Sequence, residues 1–82
     1  MTHTASLFFP YPETIAQAIA RALSPEAHQS EVPKTRGDAH ANEHGVHIVI
    51  HAEDLASLRA AVNSYCRWVD AAAKVAAMAE RR

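Results

Sequence analysis

Apolar residues recur along this chain in two rhythms, and the switches between them divide it into five elements. Thr2 to Phe9 alternates, with His3, Ala5, Leu7 and Phe9 on one side and Thr4, Ser6 and Phe8 on the other, the spacing of a half-buried strand. Pro10, Tyr11 and Pro12 break the alternation and open a helix. Proline at a first helical position loses no hydrogen bond, and Glu13 suits the positive end of the helix dipole. Ile15, Ala18, Ile19, Ala22 and Leu23 then follow the i, i+3, i+4 spacing of a core face. Ser24-Pro25 predicts the stop, because a residue before proline is pushed away from helical torsions. Residues 26–36 are polar, contain Pro33 and read as a connection.

Strand two is expected over Gly37 to Glu43 and strand three over Val46 to Ala52, joined at a His44-Gly45 loop, since a two-residue loop ending in Gly is a hairpin signal. That loop pairs Glu43 with Val46, Asn42 with His47, Ala41 with Ile48, His40 with Val49, Ala39 with Ile50 and Asp38 with His51. It gathers Ala39, Ala41, Ile48 and Ile50 on one face, and Asp38, His40, Asn42, His47 and His51 on the other.

Asp54 has the chemistry of a helix cap, and the helix it starts runs from Leu55 to about Met78. Two apolar series share it. Leu55, Leu58, Val62, Tyr65, Val69, Ala72 and Ala76 form a core stripe. Ser57, Ala60, Ser64, Trp68, Ala71, Val75 and Met78 keep the same rhythm about a third of a turn away. Arg59, Asn63, Arg67, Asp70 and Lys74 make a polar ridge, with surface pairs expected at Arg67–Asp70 and Asp70–Lys74. A surface helix needs one apolar stripe, so the second predicts a covering partner. At about 1.5 Å per residue the helix is longer than a seven-residue strand, and its overhang carries Val75 and Met78. Residues 1–79 form one domain, and Glu80-Arg81-Arg82 is expected to fray.

The order strand, helix, strand, strand, helix makes strands one and two parallel through a right-handed crossover. Strand three, VHIVI, is the most apolar and fits antiparallel between them. The predicted fold is α+β: β-α-β-β-α, a three-stranded sheet of order 1-3-2 with both helices on one face.

Composition narrows the chemistry. The 82 residues hold eight basic and nine acidic side chains, a balance that argues against an autonomous nucleic-acid binder. The lone Cys66 can form no internal disulfide, and its place beside the core stripe predicts a small buried hydrophobe. With no secretory signal and no long apolar run, a soluble cytoplasmic protein without membrane contact is expected. Two glycines cannot build a phosphate loop, and no nucleophile elbow or paired-cysteine motif occurs. No catalytic residue, cofactor site or metal site is therefore assigned. His40, His47 and His51 share one hairpin face, but His47 and His51 stand about 13 Å apart along the strand, so a solvated, titrating face is the simpler reading.

YPETIAQAIARALSPE (Tyr11 to Glu26) and HIVIHAEDLASLRAAVNSYCRWVD (His47 to Asp70) resemble the Pcc family, the small subunit of the KEOPS complex, related to the CTAG/LAGE proteins of animals. The A-x-D-L-x-x-L-R-A-A-x-N-S-x-x-R-W pattern from Ala52 to Trp68 is its strongest part, and the likeness covers nearly the whole chain. The resemblance implies a three-stranded sheet with two helices, and a subunit that dimerises and binds the catalytic threonylcarbamoyl-transferase subunit. That assembly makes N6-threonylcarbamoyladenosine (t6A) in tRNAs reading codons that begin with A, with nucleotide and metal held by the partner. So short a version fits an archaeal source.

On this reading the transferase subunit docks on Ser57, Ala60, Ser64, Trp68, Ala71, Val75 and Met78, with Arg59, Asn63 and Arg67 as polar contacts to partner or RNA. A homodimer forms by pairing of strand one along Thr4, Ser6 and Phe8, since strand two carries Arg36, Asp38 and Glu43. Contact with tRNA is indirect, through the complex. The alternative is a free-standing small RNA-binding α/β module, which needs a basic stripe; here one ridge offers only Arg59, Arg67 and Lys74.

Overall fold

A computed structural model describes residues 3–28 and 35–80, with side chains over 3–24 and 35–79. Its elements are β1 (His3–Pro10), α1 (Glu13–His28), β2 (Thr35–Asn42), β3 (Gly45–Ala52) and α2 (Leu55–Glu80). The sheet has order β1-β3-β2, and both outer strands run antiparallel to β3. The fold is α+β, as the hydrophobic pattern predicts. Thr2, the 29–34 part of the polar connection and the terminal Arg81-Arg82 lie outside the described residues.

Each strand alternates, so one face of the sheet is apolar. The central strand contributes Val46, Ile48, Ile50 and Ala52, all fully buried. Over them lie Ala16, Ile19 and Leu23 of α1, and Ala61, Tyr65, Val69 and Ala73 of α2. Burying each large aliphatic side chain here contributes on the order of 1.5–3 kcal/mol. The inner face of β2 is built from Gly37, Ala39 and Ala41, small residues that let α1 settle close to this strand. Asp54 caps α2: its Oδ1 accepts from Ser57 N at 2.7 Å, and its carbonyl accepts from Leu58 N at 3.1 Å.

Four local expectations are corrected. The hairpin turns at Glu43-His44, not His44-Gly45, so Asn42 pairs with Gly45, His40 with His47 and Ala39 with Ile48. Asn42 makes this turn, its Oδ1 accepting from His44 N at 2.8 Å and Gly45 N at 3.1 Å. The glycine is needed just after it: Gly45 has φ 154°, and a Cβ there would strike the Phe9 carbonyl oxygen and lie 2.9 Å from Pro10 Cα. The slip is two residues, so every side chain keeps its face.

Helix α1 passes through Ser24-Pro25 and ends at His28. Proline removes one N–H, that opposite the Arg21 carbonyl, and this loss near the helix end does not terminate it. Leu55, assigned to the core stripe, is 53% exposed. It is the first helical residue, and helical side chains lean toward the N-terminus, off the end of the packed body. Cys66 is exposed rather than buried, because it follows Arg59 and Asn63 and precedes Asp70 at spacings of four, three and four, on the polar ridge itself.

Candidate functional site: the groove between the helices

Helix α2 is longer than the layer beneath it. Its 26 residues span about 39 Å at 1.5 Å each, whereas eight-residue strands reach about 27 Å. Ala73 is the last buried residue of α2 among those whose side chains are described. Past it, Val75 and Met78 are 68% and 70% exposed, although Val75 continues the helical angle that is buried at Ser64 and half-buried at Trp68. The overhang and α1 enclose an open apolar groove of about 490 Å³. Ala18 and Ala22 form one wall, and Ala71, Ala72, Val75, Ala76 and Ala79 the other.

The proposed docking series divides along this geometry. Trp68, Ala71, Val75 and Met78 run along the groove side of α2; Trp68 is half-buried, its ring edge-on to Tyr65 at 5.0 Å. At the other end only Ala60 is exposed, Ser57 is half-buried beside its cap, and Ser64 is turned into the core at 8% exposure. The wall given by α1 is not among the residues expected to dock a partner. Ala18 and Ala22 belong to the core face expected of α1, whereas Ala22 is exposed; two alanines at i, i+4 facing a helix with its own alanine series is the available signal.

Arg59, Asn63 and Arg67 are all exposed. The expected Arg67–Asp70 pair is replaced by a contact from Arg67 Nη2 to Ser64 Oγ at 3.5 Å. Lys74 does reach Asp70, at 2.9 Å, and that hydrogen bond and charge hold its amine above the ordinary lysine value.

Strand β1 pairs only with β3 among the described residues, and its outward Thr4, Ser6 and Phe8 are exposed. Phe8 is 48% exposed with its ring tilted against His47 at 4.6 Å, and Thr4 Oγ1 meets His51 Nδ1 at 3.2 Å. On the same face Asp38 meets His40 at 3.0 Å, and Asn42 Nδ2 donates to His47 Nε2 at 3.1 Å. Among the described residues no three His, Cys, Asp or Glu side chains stand close enough to hold a metal ion.

A family model described as "Transcription factor Pcc1" matches residues 4–77. The chain belongs to the Pcc1 family. This is the family of the KEOPS small subunit, and it makes the chain a subunit of a complex. The match runs from the open edge of β1 through most of α2, so both uncovered regions lie inside it or at its border. No curated protein matches the chain. No helix among the described residues is long and apolar enough to cross a membrane.

Proposed function

We propose that this Pcc1-family chain is a non-catalytic, dimerising KEOPS subunit that binds the threonylcarbamoyl-transferase subunit and so supports t6A formation on tRNA in the cytoplasm. The observation that carries the reading is the apolar overhang: α2 keeps Val75 and Met78 exposed beside an alanine-walled groove that the described residues leave open. The partner supplies the catalytic machinery, and this chain supplies a rigid docking surface of Trp68, Ala71, Val75 and Met78, with Ala60 extending it. Arg59, Asn63 and Arg67 offer polar contacts at its border. The near-neutral charge favours a subunit over a free-standing RNA-binding module, because tRNA contact then needs the surface of the whole assembly.

The test is binding of the purified chain to the purified transferase subunit of the same organism. Val75→Glu with Met78→Glu should abolish the complex and leave the melting temperature unchanged, since both side chains already face water. Trp68→Ala should weaken binding by at least about 2 kcal/mol, roughly thirtyfold, if the indole is an interface anchor. Full affinity in the folded double variant refutes the docking surface.

A further inference from the structure

We propose that His40 and His47 form a two-imidazole site for a late first-row divalent ion such as Zn2+ or Ni2+, which clips β2 to β3 beside their turn. The hairpin sets these two residues directly opposite each other, whereas the expected register puts Val49 opposite His40 and Asn42 opposite His47. Cβ atoms of directly opposite residues stand about 4.5–5.5 Å apart. Both side chains are exposed, so the two rings can turn to close on one ion at metal–nitrogen distances of about 2.0–2.1 Å. His51 shares the face but lies opposite Thr4 and Arg36, about 13 Å along the strand from His47.

Hydrogen bonds already fix where each lone pair lies. Asp38 Oδ2 is 3.0 Å from His40 Nε2. A carboxylate accepts, so Nε2 carries a proton and Nδ1 holds the lone pair of the neutral ring. A carboxylate behind an imidazole is the usual support of a metal-bound histidine. Asn42 Oδ1 accepts from His44 N and Gly45 N, which assigns the amide nitrogen to the contact with His47 Nε2 at 3.1 Å. A donor at that position requires a lone pair on Nε2, and an arriving cation takes over that lone pair from the amide. Phe8, tilted against the His47 ring at 4.6 Å, restrains it from the other side.

Two neutral nitrogen donors suit Zn2+, Ni2+ and Cu2+ rather than Mg2+, which prefers oxygen. Among the described residues no third His, Cys, Asp or Glu joins the pair, so the remaining positions are open to water and the affinity is modest. The site lies on the sheet face away from both helices, and it stands or falls independently of the docking surface.

The test titrates the chain, carrying no affinity tag, with Zn2+, Ni2+ or Mg2+ at about pH 7.5, above the ordinary histidine value. Calorimetry should show one equivalent of Zn2+ or Ni2+ bound and no heat with Mg2+. At about a fivefold excess over Kd, the bound ion should raise the melting temperature by about 4–8 °C. His40→Ala and His47→Ala, both at exposed positions, should remain folded in melting curves, each with affinity lowered at least about tenfold. His44→Ala and His51→Ala should bind as wild type. Absence of Zn2+ and Ni2+ binding overturns the proposal. So does binding that survives in either His40→Ala or His47→Ala, or that is lost in His44→Ala or His51→Ala, since the ion then sits elsewhere on the histidine-bearing surface.

Discussion

Gly37 sits on β2 beneath the ring of Tyr65, and a side chain there meets the hydroxyl and two ring carbons at once. An alanine Cβ would clash with the Tyr65 hydroxyl oxygen and lie 2.6 Å from Cζ and 2.9 Å from Cε2. The ring cannot swing aside freely, because Tyr65 is 4% exposed and braced by Trp68 at 5.0 Å. Overpacking of this kind costs about 1–3 kcal/mol, and a clash with a rigid buried ring belongs at the upper end. Gly37 is not among the glycines with positive φ, so alanine recovers up to about 1 kcal/mol from the stiffer unfolded chain. The net expectation for Gly37→Ala is about 1–2 kcal/mol of lost stability, which in a domain of this size lowers the melting temperature by roughly 5–15 °C.

Thermal or urea unfolding of a double-mutant cycle checks the cause. Tyr65→Phe removes only the closest atom, so it should relieve part of the alanine penalty. Tyr65→Leu removes the ring, and in that background Gly37→Ala should cost nothing or stabilise, a coupling of about 1–2 kcal/mol. Equal penalties in all three backgrounds would refute the argument that Tyr65 dictates a glycine at position 37. Because Trp68 leans on Tyr65, a displaced ring also moves one end of the docking surface.

Asn42→Ala removes both acceptor contacts to the turn amides of His44 and Gly45 and should cost about 1 kcal/mol in unfolding experiments, whereas Asn42→Asp keeps the acceptor and should cost less. Equal losses would mean the turn does not depend on that oxygen. The proposed β1-to-β1 dimer predicts that Phe8→Lys, at a position 48% exposed, shifts the chain to monomer at low micromolar concentration in sedimentation without unfolding it; a dimer that persists in this variant rules that edge out.

The two helices and the face of nearly every strand residue were legible from periodicity, and the strand order from the crossover rule and the apolar content of VHIVI. His3, Leu7 and Phe9 turn inward and Thr4, Ser6 and Phe8 outward as the alternation requires. Details that depend on one residue's tertiary role were not legible. Gly45 reads as a turn residue, but its contact is with Phe9 and Pro10 on a strand remote in sequence. Pro25 reads as a stop, yet α1 continues for a further turn. Cys66 was legible after all, since its spacing from Arg59, Asn63 and Asp70 fixes the ridge, and a general preference for burying cysteine obscured it. For the candidate site, the second apolar series found the exposed side of α2 but not the wall opposite. That wall depends on how two helices lie together, which neither helix's own periodicity contains.

The overhang also bears on how binding can be strong with little to order. Beyond Ala73, α2 continues to Glu80 with no further fully buried side chain within 74–79, so this stretch contributes little to the domain's own core. A short extension without tertiary support is marginal unless its residues favour helix intrinsically. Here Ala76, Ala77 and Ala79 have the highest such propensity, while Val75 and Met78 supply the contact area. Alanine therefore has two roles at this end. It keeps the unoccupied helix formed, which removes the ordering cost that a partner would otherwise meet, and it leaves the groove shallow-walled enough for another backbone to come close. A leucine-rich overhang would fill the groove with its own side chains, and a polar one would offer nothing to cover. The alternation of alanine with a few exposed large residues is what a preformed docking surface requires, and it explains why α2 extends beyond the sheet it caps.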